Sequence, residues 1–385
     1  MKNSHRILPF YLCIFFILIS ACTTTPKHTP TQSDSIGYWP TDGWLTSTPE
    51  EQGMDSETLA DMLMLIQDED YKIDSLTIVR NGYIVLDVAI YPFIPDTKHF
   101  IHSCTKSIIS ALIGIAIDQG KIKSVDVPLL DFFPSRQTAN LDAQKTAITL
   151  EDLLTMSTGF RCRDSYLYRW EGLQDLRSSK DWIQYMLDLP MQEEPGTRFE
   201  YCNGASFLLS AILQESTGVS AEEYAREYLF TPLGISDYHW PANPQGISIG
   251  WGEMYLRPHD MAKIGYLYLQ GGIWEGKQIL SAEWVRESTR KHISATLEDG
   301  YGYQWWVHEA GFYLALGYAG QFIYVLPDKD LIVVFTSDLE ESDFYVPQDL
   351  LMEYIIPAAL SSDPLPANPD GEILLQSYID KLSSP

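Results

Sequence analysis

Apolar residues at Leu59, Met62, Leu63 and Ile66 fall three and four apart between Asp55 and Gln67, which predicts a helix capped by Asp55 or Ser56. The period then changes. Leu76-Thr77-Ile78-Val79 and Tyr83-Ile84-Val85-Leu86 flank Arg80-Asn81-Gly82, and an Asn-Gly pair supplies the positive φ angles that a tight hairpin turn demands. Ser103 to Gln119 reads as a helix apolar on most sides, through Ile108, Ile109, Leu112, Ile113, Ala116 and Ile117, with Gly120 as its stop. Thr149-Leu150-Glu151-Asp152 opens a shorter helix in near capping-box form, ended by Gly159. Residues 160–200 read as loop-rich, with Trp170, Trp182, Pro190 and Pro195-Gly196. Further helices are expected from about Ala205 to Glu215, from about Pro258 to Gln270, and after a Ser281 cap. Tyr303 to Val307, Tyr313 to Leu316, Phe322 to Leu326 and Leu331 to Thr336 then read as successive strands. Strands at both ends of a helical middle predict an α/β (α+β) fold. One antiparallel β-sheet is built from both chain ends and flanked by helices, with an inserted, mainly helical lobe at about 121–245.

The N-terminal stretch follows a different logic. Lys2 and Arg6 precede an apolar run from Ile7 to Ile19, too short for a comfortable membrane span, and Ser20-Ala21-Cys22 follows. This layout resembles a bacterial lipobox. It implies a lipoprotein signal peptide at 1–21, lipidation at Cys22, and an exported protein anchored by lipid, facing the periplasm or cell exterior. An ordinary secretory signal is the alternative. Residues 22–41, rich in Thr, Pro and Ser, read as a tether, 42–361 as the folded domain, and 362–385 as a polar tail with one short helix.

The composition is that of a globular protein, 45% apolar and 12% aromatic over 385 residues. The net charge of −26 leaves no basic patch to neutralise phosphates, so nucleic acid is not an expected partner. His99 and His102 lie three apart, but no further Cys/His cluster stands at a ligand spacing, and no P-loop or dinucleotide fingerprint occurs. Neither a metal nor a cofactor is expected.

Three short motifs can carry chemistry. Ser103-Cys104-Thr105-Lys106 places a hydroxyl and an amine one turn apart at a helix start, where backbone N–H groups favour developing negative charge. A lysine accepts the serine proton only when neutral, and burial beside a helix N-terminus depresses its pKa in that sense. Tyr201-Cys202-Asn203 sets a phenol and an amide on a loop ahead of an apolar helix. Gly317-Tyr318-Ala319-Gly320-Gln321 joins two strands, and small residues there admit a substrate to the strand edge. Each motif alone has a plain alternative: a surface lysine after a capping serine, a core tyrosine, a hairpin turn.

In this order and spacing the three motifs resemble the serine β-lactamase and penicillin-binding-protein superfamily, closest to its class C β-lactamase, esterase and 6-aminohexanoate-dimer hydrolase branch. Flanking segments agree: Gly114-Ile115-Ala116, Leu153-Leu154-Thr155-Met156-Ser157-Thr158-Gly159, Leu233-Gly234 and Gly320-Gln321-Phe322. The resemblance implies a β-lactamase/transpeptidase-like fold and a serine hydrolase acting on a small-molecule ester or amide. Ser103 would be the acylated nucleophile, Lys106 its base and Tyr201 the proton relay. Asn203 would be a polar anchor, Tyr318 and Gly320 substrate-side residues, and the N–H groups of Ser103 and Gln321 the oxyanion donors. The third motif departs from the pattern, because Tyr318-Ala319-Gly320 lacks the cation that related enzymes place near a substrate carboxylate. Esters or short amides are therefore expected ahead of β-lactams. β-Lactamase or D-alanyl-D-alanine peptidase activity, and a non-catalytic binding protein retaining the fold, are the alternatives. The fold is also expected to bring Cys162 and Cys202 to one rim, where they form a disulfide candidate, with Cys104 left as buried packing. Tyr166, Tyr168, Trp170 and Trp182 would suit an apolar substrate portion.

Overall fold

Asn81 and Gly82 take φ angles of 49° and 81° and close the hairpin between β1 (Ile73–Arg80) and β2 (Tyr83–Ala89), with Arg80 opposite Tyr83. In this computed structural model, residues 38–164 and 170–385 are described, and Trp39–Pro385 form one compact unit. The expected leader, Cys22, most of the tether, Tyr166 and Tyr168 lie outside the described residues.

The C-terminal strands are β3 (Gly300–Tyr301), β4 (Trp306–Val307), β5 (Tyr313–Gly317), β6 (Gln321–Leu326) and β7 (Leu331–Ser337). Together with the hairpin they make a seven-stranded sheet of order β2-β1-β7-β6-β5-β4-β3, antiparallel between every pair of neighbours. The chain ends meet at β1 and β7, where Arg80 stands opposite Leu331 and Leu76 opposite Phe335. The Ser75 and Thr336 hydroxyls share a hydrogen bond of 2.6 Å across that seam. Every residue of β6 and β7 is buried, which is why these strands read as continuous apolar runs rather than alternating ones.

Helices cover both faces. Helix α1 (Ser56–Asp68) starts at Asp55, whose carboxylate accepts from Thr58 N–H at 2.9 Å. The long central helices are α2 (Thr105–Asp118), α6 (Asn203–Thr217) and α7 (Pro258–Leu269); between α2 and α6 stand α3 (Leu150–Leu154), α4 (Glu171–Ser178) and α5 (Trp182–Leu187). Gly265 lets α7 lie down on the sheet, because a Cβ there would stand 3.0 Å from the Cγ2 atoms of Ile323 and Ile332. Phe322 points the opposite way along β6 and meets Phe344 at a centroid distance of 6.3 Å. Residues 362–385, expected as a tail, contain α8 (Pro369–Leu382), which packs on α1 and is tied to it by Asn368 Nδ2 donating to Glu57 Oε1 at 3.2 Å.

Two differences from the sequence pattern bear on the site. Residues 160–200 hold α4 and α5, and α3 stops at Leu154, five residues before Gly159. The expected strand from Tyr303 joins the sheet only at Trp306, because Gln304 has φ 61° and turns toward the helices. Its Nε2 donates to the carbonyls of Leu153 and Leu154 at 3.1 and 2.9 Å. Its Oε1 accepts from Ser206 Oγ at 2.6 Å, and its carbonyl accepts from Ser107 Oγ at 2.7 Å. This buried residue therefore fastens α2, through its carbonyl, and α3 and α6, through its side chain, to the edge of the sheet, and leaving any one of these groups unpaired would cost about 1–3 kcal/mol.

Candidate active site

Ser103 lies in a 3-10 turn, His102–Cys104, that feeds directly into α2. The turn starts from His102 at φ 47°, and Thr105 Oγ1 donates to the His102 carbonyl at 2.8 Å. Burial pushes the His102 imidazole down to about 4, with Asp338 opposing and Lys106 reinforcing, so this ring is neutral near pH 7. One turn on, Lys106 is 2% exposed, and its Nζ donates to Ser103 Oγ at 2.9 Å, Asn203 Oδ1 at 2.8 Å and the Trp251 carbonyl at 2.8 Å. Burial pushes this lysine down to about 7, while the charge of Asp164 pulls it back up.

Tyr201 reaches the same serine from the other side. Its hydroxyl faces Ser103, its ring centroid lies 4.8 Å from Lys106 Nζ, and burial raises its pKa well above the usual phenol range. The ring stacks on Trp306 at 6.0 Å, against a wall completed by Phe199 and Tyr301. Asn203, the first residue of α6, is 4% exposed. The loop that delivers this pair is fixed on two sides. Glu200 N–H donates to the Met156 carbonyl at 2.8 Å, and Cys202 is joined to Cys162 by a disulfide with a Cα–Cα distance of 5.8 Å. Cys104 is free and buried, and its Sγ donates to the Gln321 carbonyl at 3.4 Å.

The third motif forms the β5–β6 turn, with Gly317 opposite Gln321. Ala319 and Gly320 adopt φ 59° and 89°, and a Cβ on Gly320 would strike Leu339 Cδ1 at 2.7 Å, so glycine is required by the turn itself. The Gln321 side chain points into the protein, its Nε2 donating to the Ser337 carbonyl, which leaves its backbone as the part nearest the Ser103 turn. Gly317 backs onto that turn closely, since a Cβ there would lie 2.5 Å from the Ile101 carbonyl. Tyr318 is 63% exposed, and its ring stands edge-on to His102 at 5.5 Å.

Two contributors have no signature in the motifs. Trp251 acts through its backbone carbonyl on Lys106, and Gly250 before it permits a close approach of the chain to α6: a Cβ there would be 2.3 Å from the Ser206 carbonyl. The glycine just before the tryptophan is the signal for such a close backbone passage. Asp164 is 2% exposed, and its Oδ2 accepts from Asn203 N–H at 2.7 Å. Of the aromatic residues in the 160–200 stretch, Trp182 stacks on Trp251 at 5.3 Å, beneath the site.

The family model for Beta-lactamase matches residues 66–352, about three quarters of the chain and every motif above. The chain belongs to the Beta-lactamase family. Within it, the 6-aminohexanoate-dimer hydrolase of Paenarthrobacter ureafaciens is 24% identical over 322 residues, covering 77% of this chain and 81% of that one. Among solved structures, EstCE1, described as a hydrolase with promiscuous acyltransferase activity, superposes with a TM-score of 0.66 at 17% identity, covering 80% of this chain and 99% of its own. A penicillin-binding-protein homologue from Caulobacter crescentus superposes with a TM-score of 0.63 at 14% identity, covering 82% and 99%. This member of the Beta-lactamase family is a serine hydrolase, with the mixed helix and antiparallel-sheet architecture of that fold.

Proposed function

We propose that the protein hydrolyses a small ester or amide through an acyl-enzyme on Ser103, with Lys106 as base and Tyr201 as proton relay and general acid. The observation that carries this is the set of partners around Lys106 Nζ. Two of the three are carbonyl-type oxygens, which accept only. A neutral amine has two hydrogens and one lone pair, so giving both hydrogens to Asn203 and Trp251 leaves the lone pair facing Ser103 Oγ. The serine proton then moves to Nζ as Oγ bonds the substrate carbonyl carbon. The oxyanion that forms is held by the N–H groups of Ser103 and Gln321. Tyr201 gives its proton to the leaving oxygen or nitrogen and recovers one from Lys106. Water enters by the reverse sequence and releases the acid.

Labelling with a fluorophosphonate probe tests the assignment. Wild type is expected to be labelled stoichiometrically and Ser103→Ala not at all; equal labelling of the two removes Ser103 as nucleophile.

The substrate class follows from the third motif. Tyr318 and Ala319 offer no cation to a carboxylate, and Arg163, on a neighbouring loop, is engaged by Glu171 and Asp175 at 3.1 and 2.6 Å. A missing charge-assisted contact is worth about 1.5–3 kcal/mol, or ~10–150-fold in rate. Short-chain p-nitrophenyl esters are expected to exceed nitrocefin in kcat/KM by at least ~10-fold. Equal values would move the reading to a β-lactamase.

A further inference from the structure

Asp164 has no part in the reaction sequence above, yet it is the carboxylate whose charge acts on Lys106. Three features keep it ionised while buried. Its Oδ2 accepts from the N–H of Asn203, the first residue of α6, which makes it a cap supplied from a distant loop to a helix whose own Cys202 provides none. The start of α4 is close as well, with Leu173 N–H directed at the carboxylate and Gly172 so near that a Cβ there would lie 2.7 Å from Oδ1. Two helix N-termini thus converge on one anion. The third feature is Lys106 itself. The Asn203 side chain lies between them, its Oδ1 on Lys106 and its amide group beside the Asp164 carboxylate. The disulfide joins Cys162 to Cys202, two residues before Asp164 and one before Asn203, so the carboxylate and the helix start it caps are pinned on the same staple.

We propose that Asp164 is a positioning residue for the hydrolysis: through Asn203 it turns the amide oxygen toward Lys106, and by its charge it sets the proton affinity of that lysine. This rests on Lys106 being the base. Without the carboxylate, the Asn203 amide has no reason to keep its oxygen on the lysine, and Lys106 loses the charge that favours its protonated form. The groups facing the pair are Tyr201, Cys104 and His102 around Lys106, and Tyr185 and Tyr201 around Asp164. Burial raises the two phenols and the Cys104 thiol and lowers the imidazole, so all four are neutral near pH 7. Among the described residues, Asp164, pushed up to about 6 by burial, is the remaining charge that can move the lysine in that range.

Asp164→Asn separates the two roles, because an amide oxygen still accepts from Asn203 while the charge is gone. Its acid limb in the pH profile of kcat/KM, measured with a short-chain p-nitrophenyl ester, is expected about one pH unit below that of wild type, since Lys106 then loses its proton more readily. Asp164→Ala removes both roles. It is expected to shift the limb the same way and to lower kcat by ~10–100-fold with KM little changed. The position of a limb does not depend on how much enzyme is competent, so partial misfolding leaves the readout intact. A limb that stays at the wild-type pH in Asp164→Asn overturns the proposal, as does a failure of both variants to fold, which would make Asp164 purely structural. If Ser103→Ala still takes the fluorophosphonate label, the acyl-enzyme reading fails instead, a separate result.

Discussion

Lys106→Met is expected to lower kcat/KM for a short-chain p-nitrophenyl ester by about 10³-fold, while circular dichroism shows a folded protein. Methionine matches the length of the buried stem and cannot take a proton, and removing a general base typically forfeits 10²–10⁴-fold. As the proposed base, the same lysine is expected to set the pH dependence of the wild type. It acts only when neutral, and burial has pushed it down to about 7, so kcat/KM is expected to fall about tenfold per unit as pH drops below about 7 and to level off above it. His102 cannot produce this limb, because burial places it near 4. A limb centred near 4 in the wild type, or a Lys106→Met variant within tenfold of wild-type activity, would transfer the base to another group.

The second large effect concerns the staple. Replacing both Cys162 and Cys202 by serine releases a loop with a sequence separation of 40, which the chain-entropy treatment values at about 4 kcal/mol. For a domain of this length that corresponds to roughly 5 °C in Tm. The loop contains α4 and α5 and ends at Tyr201 and Asn203, so activity is expected to fall with stability rather than survive it. Melts of wild type and of the double variant, each with and without reductant, check this. Coincident melting of all four samples would show that the disulfide contributes nothing.

What the chain reveals in advance divides along the range of the interactions. Helices with a local cap and a regular apolar stripe are legible: Asp55 closes the start of α1, and Thr149 with Asp152 forms the capping box of α3. The gathering of Ser103, Lys106, Tyr201 and Asn203 is legible because the proposed nucleophile, base and acid need particular side chains at particular spacings. The helices α4 and α5 are not. At eight and six residues they carry too few periods to register, and α4 is held by contacts at Gly172 that depend on residues 162 and 164 being folded beside it. Trp251 contributes a carbonyl, which every residue possesses. Asp164 sits in Arg161-Cys162-Arg163-Asp164, a string that reads as ordinary loop, and gains its meaning from a helix start 39 positions further on.

The seam between β1 and β7 also governs when the molecule comes into being. Arg80 and Leu331 are partners separated by about 250 residues, so the hairpin β1–β2 waits, one edge unfilled, while all of the intervening chain is synthesised. At ~5–20 residues per second that interval is on the order of ten seconds or more, during which an exposed strand edge is a hazard for pairing with another chain. Long-range pairing of this kind is slow to nucleate, because loop-closure entropy must be overcome before the contacts reward it. Ser103 and Lys106 leave the ribosome early, but the turn at 317–321 that backs them is among the last parts to emerge. The pair proposed to carry catalysis is therefore born inert, and the enzyme's birth coincides with the closing of the sheet.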